Sequence, residues 1–198
     1  MTGTARDRPR AGKSLMRGPP SAAVDRWAHR MKDGGTVVVR RALERDAEQL
    51  LRNINEVGPE EDWILTEAIP WDPRQEREWI RTFDDMSSVL YVAEVDGRVV
   101  GQIDAHISSY PKAHHVASLG IAIVKAYRER GIGRALLERT LAWMKARGVE
   151  KANLEVFSTN ARAIGLYQKM GFVIEGSRKG QFKIRGQYVD DVYMAKWL

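Results

Sequence analysis

The chain has 198 residues, 43% hydrophobic and 29% charged, a globular balance that excludes wholesale disorder and collagen-like repeats and suits one domain. It has no cysteine, which removes disulfides, thiolate metal sites and cysteine nucleophiles and fits a reducing cytoplasm; it also has no apolar run of about 18 residues, so no membrane-spanning helix is expected. The formal charge of +6 points first to nucleic acid, but it is unevenly spread: residues 1–34 carry eight basic against three acidic side chains, 35–109 eight against sixteen, and 110–198 sixteen against seven.

Residues 1–34 contain Arg-Pro, Gly-Pro-Pro and Asp-Gly-Gly with little apolar periodicity, and read as a flexible basic extension. A short helix near Val24–Met31 is an alternative, and no stretch resembles the apolar core of a signal peptide. The ordered domain is expected over 35–198. Val37–Val39 reads as a strand, followed by a helix burying Ala47, Leu50, Leu51 and Ile54. Residues 56–72 read as a loop bearing Glu56, Glu60, Glu61 and Asp62. Asp72-Pro73 with Gln75 predicts a capped second helix whose buried face is Trp79, Ile80 and Phe83.

Val89–Val95 and Val99–Ile107 are strands joined by an Asp96-Gly97 hairpin turn, and Ala117–Ile123 is another apolar strand. A helix over Gly133–Arg147 stops at Gly148. Ala152–Phe157 is a strand, Asn160 is placed to cap a helix running through Met170, and Phe172–Lys183 with Gln187–Trp197 form a final antiparallel pair. The order β-α-α-β-β-β-α-β-α-β-β predicts one α/β domain with a mixed sheet.

The most informative segment is the turn Arg128-Glu129-Arg130-Gly131-Ile132-Gly133-Arg134 between a strand and a helix. A helix N-terminus has unpaired N–H groups and a positive dipole end, so it binds phosphate through backbone alone, and glycines allow close approach. Arg128, Arg130 and Arg134 would add positive field. The P-loop and dinucleotide patterns are both absent, the latter because Leu136 stands where its third glycine belongs. A tight turn with solvated arginines is the alternative.

Arg-x-x-Gly-x-Gly at 128–133, followed by Asn160-Ala-Arg-Ala163-Ile-Gly-Leu166-Tyr167-Gln-Lys-Met-Gly171-Phe172, resembles the two signature segments of the GNAT superfamily of acetyl-CoA-dependent N-acetyltransferases. The resemblance covers roughly residues 36–198. It implies a mixed, mostly antiparallel sheet with a splayed central strand pair, opened by a bulge and flanked by helices. It also implies that backbone groups of Ile121 and Ile123, with Ala122 between them, pair with the pantetheine arm of acetyl-CoA, and that the amides of 128–134 hold its pyrophosphate. Asn160 would contact the cofactor arm or only cap its helix. Tyr167 is implied as the general acid that protonates the departing CoA thiolate, against the alternative of a core tyrosine. The resemblance admits a homodimer, and no metal is implied.

Some members carry a glutamate base on the strand before the pyrophosphate turn; here that stretch is Ser118-Leu119-Gly120-Ile121-Ala122. Glu155, His115, Asp190 and Asp191 are therefore the base candidates, with Glu155 preferred. His114 and His115 fall on opposite strand faces, which argues against a metal pair. The acidic first half would attract a cationic small amine or polyamine opposite an anionic cofactor, with a peptide N-terminus or lysine as the alternative. A CoA-binding member without turnover and a basic nucleic-acid module are the non-enzyme alternatives. The second is disfavoured because the charge outside the extension nearly cancels and no zinc-finger or RNP pattern exists.

Overall fold

A computed structural model describes residues 26–198, apart from 61–63 and 65–67. Its frame is one eight-stranded sheet. The strands are β1 (Arg26–Arg30), β2 (Thr36–Arg41), β3 (Ser88–Val95), β4 (Arg98–Ile107), β5 (Val116–Ile123), β6 (Lys151–Phe157), β7 (Val173–Ile184) and β8 (Gln187–Trp197), in spatial order β1-β2-β3-β4-β5-β6-β8-β7. All pairings are antiparallel except β5 with β6.

The first strand corrects the reading of residues 1–34 where they are described. Residues 26–30 pair with β2 from Arg26↔Arg40 to Arg30↔Thr36, where an extension or a short helix was expected. Asp33-Gly34, counted with the flexible extension, is the hairpin turn: Gly34 has φ +88°, and Met31 N–H donates to Gly35 O at 2.8 Å. The strand has apolar work to do, since Met31 is buried and Trp27 packs edge-on to Tyr91 at 5.8 Å beneath the Arg139 guanidinium. The part of the expected extension before Arg26 lies outside the described residues.

Four helices cover the sheet: α1 (Ala47–Val57), α2 (Pro73–Arg81), α3 (Ile132–Ala146) and α4 (Ala161–Lys169). Local chemistry explains their ends. Asp72 accepts from the amides of Arg74 and Gln75, Gln75 reaches back to the Asp72 amide at 3.0 Å, and Pro73 opens α2. On one face Leu50 and Ile80 pack on Leu90, Val92 and Val99. On the other, Leu136, Leu137 and Met144 join Tyr91, Ala93 and Ile103 in the larger core. With both faces covered, β3 is buried almost throughout instead of alternating.

One buried carboxyl on α2 is incompletely matched. Glu76 is buried, its Oε2 has no hydrogen-bond partner among the described residues, and burial pushes its pKa from 4.5 up to about 7. Between those values the folded chain holds a proton that the unfolded chain releases, so stability declines as pH rises through that window. Glu76→Gln is expected to flatten this slope and to stabilise the fold at pH 8 by about 1–3 kcal/mol, read from urea unfolding at pH 5 and pH 8. Equal destabilisation at both pH values would contradict it.

The feature that shapes the site is a failure of pairing. β5 and β6 match only at Val116↔Lys151, Ala117↔Ala152 and Ser118↔Asn153, and then diverge. The expected bulge does not open them: β4 and β5 keep one register from Gly101↔Ile123 to Ile107↔Ala117. Ser108 N–H donates to Val116 O, and Val124 N–H donates to Val100 O. In that register the even-numbered residues of β5 turn their main chain toward β4, whereas Leu119, Ile121 and Ile123 turn theirs toward the gap.

Candidate active site

The gap is the floor of a cleft of about 980 Å³ that runs from the N-terminus of α3, past α4, to the α1 side of the sheet. Its walls include Ile121, Ala122, Ile123, Arg128, Glu129, Gly131, Gly133, Arg134, Asn160, Tyr167 and Glu155, which joins residues expected from both sequence motifs. Two expected contributors are elsewhere. Ile132 is in the core at 1% exposure, and Arg130 turns to Asp33 on the β1–β2 turn. Ala122 lines the cleft, but its backbone groups are directed at β4, so only its neighbours offer main-chain pairing.

The turn offers amides after Arg128, whose own N–H is held by Lys125 O at 3.2 Å. Gly131 sits at φ +93°, a conformation that costs other L-residues about 1–2 kcal/mol, and gives α3 no side-chain cap. The first intrahelical bond at that end is Ala135 N–H to Gly131 O at 3.2 Å, so the amides before it lack helical acceptors. Gly133 serves packing: a Cβ there would stand 3.0 Å from Leu166 Cδ2 and 3.4 Å from Ile123 Cδ1.

The arginines differ from expectation. Arg128 makes a bidentate pair with Glu60, both contacts 2.7 Å, and its Nε donates to Ile123 O at 2.8 Å. Arg130 pairs with Asp33 at 2.5 Å and Arg134 with Glu138 at 2.7 Å, while Glu129 pairs with Arg162. A carboxylate therefore offsets each arginine, and the anion-attracting part of the turn is its backbone. The same contacts correct the acceptor-side cluster. Glu60 is committed to Arg128 and its carbonyl accepts from Arg185, Glu56 is exposed, and Glu61 and Asp62 lie outside the described residues.

Tyr167 and Asn160 are brought to the cleft by α4. Asn160 Oδ1 accepts from Ala163 N–H at 3.0 Å, so its carbonyl oxygen caps the helix even as the residue lines the cleft. Tyr167 is 5% exposed, packs against Phe172 at 5.9 Å, and burial raises its pKa, which keeps the phenol protonated at neutral pH.

Across the sheet the cleft opens onto a polar face. Glu155 and Tyr193, and Phe157 and Asp191, are cross-strand partners whose side chains share that face. Burial raises the Glu155 pKa, and the neighbouring Asp191 carboxyl raises it further. Asp191 is 1% exposed; Asp191 Oδ2, Tyr193 OH and Asn153 Oδ1 are buried without partners among the described residues. Arg178 reaches the same face, 3.8 Å from Glu155 and over the Tyr193 ring. Of the other base candidates, Asp191 lines the cleft beside Glu155, whereas His115 stacks on Trp197 and Asp190 is held below the usual carboxylate range by Lys179 and the Gly180 amide.

Sequence reading missed Asp104. A Cβ on Gly120 would stand 3.2 Å from Asp104 Oδ1, so the carboxyl of β4 occupies the space above the glycine of β5. Its Oδ2 lies 3.4 Å from His106 Nε2, and this contact raises the histidine pKa. The signal was the pairing register Asp104↔Gly120, which a single sequence does not display.

A strand edge left without a neighbouring strand, an uncapped helix N-terminus and a buried phenol meet on one cleft through the sheet, an arrangement suited to an extended, phosphate-bearing ligand beside a proton donor. The comparisons name the class. Residues 51–172 match the acetyltransferase (GNAT) family, and the chain belongs to it. L-amino acid N-acetyltransferase AaaT of Escherichia coli (strain K12) is 33% identical over 165 residues, covering 81% of this chain and 97% of that protein. An N-alpha-acetyltransferase of Sulfurisphaera tokodaii is 33% identical over 152 residues, covering 71% and 83%. The crystal structure of a GNAT-family acetyltransferase from Streptococcus pneumoniae matches with a TM-score of 0.76 at 29% identity, covering 82% of this chain and 99% of that one. The chain is an acetyl-CoA-dependent N-acetyltransferase by family, with the mixed, mostly antiparallel sheet of that fold. Among the described residues no helix is long and apolar enough to cross a membrane, and no cluster of three or more His, Asp or Glu stands where it could hold a metal ion.

Proposed function

We propose that the chain transfers the acetyl group of acetyl-CoA by direct attack of a primary amine, with the amine entering from the polar α1-side face. Acetyl-CoA, when bound, supplies the thioester. The fit lies in the strand edge at Leu119, Ile121 and Ile123, the amides at the start of α3, and the cleft that joins them. Tyr167 holds the proton that neutralises the departing thiolate, and Glu155 accepts the proton that the amine gives up.

The observation that carries the acceptor class is the adjoining Glu155 and Asp191 carboxyls that line the cleft, with the Asp104 carboxyl packed over Gly120, which lines it too. These carboxyls favour an ammonium, and a cationic small amine or polyamine fits best. A second reading is an α-amino group, of an amino acid or a peptide. Arg178 beside Glu155 favours it, since the pair would match a zwitterion, and two relatives are named for such acceptors.

A substrate panel with thiol-release detection tests both. Highest kcat/KM for polyamines supports the first reading, and neutral amino acids or peptide N-termini support the second. Preference for acidic amino acids overturns both. Glu155→Gln is expected to lower kcat/KM for the amine about 10²-fold and to flatten the acid limb of its pH profile. An unchanged profile would remove Glu155 from the role.

A further inference from the structure

The β1–β2 turn touches the anion-binding turn although it lies outside the residues matched to the family. Lys32 N–H donates to Arg130 O at 3.1 Å, and Asp33 takes the Arg130 guanidinium at 2.5 Å. These contacts fix the lysine backbone against the loop that begins α3. Its side chain continues toward the glycine: Lys32 Cγ lies 4.0 Å from where a Gly131 Cβ would stand, and Lys32 lines the cleft.

Charge makes the position informative. Arg128, Arg130 and Arg134 are each engaged by a carboxylate, so the turn arginines bring little net positive charge to an anion. Lys32 makes no salt bridge among the described residues and is exposed. A lysine is a flexible point charge with three donors, suited to a phosphate whose remaining oxygens face backbone amides.

We propose that Lys32 is a coenzyme-binding residue, its ammonium pairing with a phosphate of acetyl-CoA at the N-terminus of α3. The β1–β2 hairpin is then part of the coenzyme site. This rests on the cleft being the coenzyme site, and the two can fail separately. The shared chemistry is a phosphate monoester or diphosphate, and either the 3′-phosphate or the diphosphate bridge can supply it.

The test is calorimetric binding of CoA, dephospho-CoA and pantetheine to the full chain and its Lys32→Met and Lys32→Arg variants, with KM for acetyl-CoA measured in parallel. Lys32→Met is expected to weaken CoA binding and raise the acetyl-CoA KM about tenfold at low salt, with pantetheine binding and the amine KM unchanged. Lys32→Arg restores most of the loss, and the difference shrinks as salt rises. If the 3′-phosphate is the partner, Lys32→Met no longer prefers CoA to dephospho-CoA; if the diphosphate is, both weaken alike. Wild-type CoA affinity in Lys32→Met, or an equal loss for pantetheine, overturns the proposal. Failure of the unaltered chain to bind CoA at all would overturn the reading of the cleft itself.

Discussion

Tyr167→Phe is expected to lower kcat by about 10²-fold or more while leaving CoA affinity within about twofold. The substitution removes a single O–H. The ring of Phe keeps the contact with Phe172 and the place of Tyr167 in the core beside α4, so folding should be retained. On the proposed mechanism, what is lost is the proton donor for the thiolate. Burial holds the phenol protonated well above neutral pH, so the wild-type rate should show no basic limb from this group across the physiological range. A donor matters most when the leaving group is basic, so thioesters of more acidic thiols should suffer less from Tyr167→Phe than acetyl-CoA does. Stopped-flow thiol release with both substrate types measures the split. Full kcat in a folded Tyr167→Phe protein would leave Tyr167 as a core residue only.

The parts of the fold legible in the sequence are those whose cause is local. Asp72-Pro73 with Gln75 is a capping box at fixed spacing, Asp96-Gly97 takes φ of +49° and +77° in its hairpin, and Asn160 caps α4. The backbone half of the cleft was legible for the same reason, since it depends on Gly131 and on which strand precedes α3. Side-chain partners were not. Glu60 and Arg128 are 68 positions apart, and no periodicity signals their pairing. Counting charge by segment therefore misled: it set an acidic half against a basic half, whereas Glu60–Arg128, Asp85–Arg147 and Asp33–Arg130 join carboxylates of the earlier segments to the basic end. Strand β1 was missed because it is a short, charge-rich edge strand whose Trp27 finds its partners only across the sheet and on α3, while Met31, just past its end, joins the core.

Asp46→Ala should destabilise the scaffold strongly, by about 3–5 kcal/mol. Asp46 and Arg40 are almost wholly buried, at 2% and 6% side-chain exposure. Asp46 accepts both Arg40 Nη1 at 2.7 Å and Nη2 at 2.9 Å, and also takes the Leu43 amide at 2.8 Å. The pair thus ties β2 to the entrance of α1, while Arg40 Nε reaches Glu94 on β3 at 2.8 Å. Removing Asp46 strands a guanidinium in a dry site with Glu94 and the Arg41 carbonyl as its remaining partners. Those partners place the cost toward the lower end of the range, a fall in Tm of roughly 6–12 °C for a chain of this size. Replacing both members with apolar residues, Arg40→Met with Asp46→Leu, should recover most of the loss, because desolvation of two charges consumes much of what their attraction returns. A double-mutant cycle by urea unfolding separates the terms. The triad lies off the cleft, so transferase activity per folded molecule should be unchanged in Asp46→Ala at temperatures well below its Tm. A loss of activity without a loss of stability would mean that the β2–α1 junction is coupled to the acceptor side through α1, whose Val57 lines the cleft.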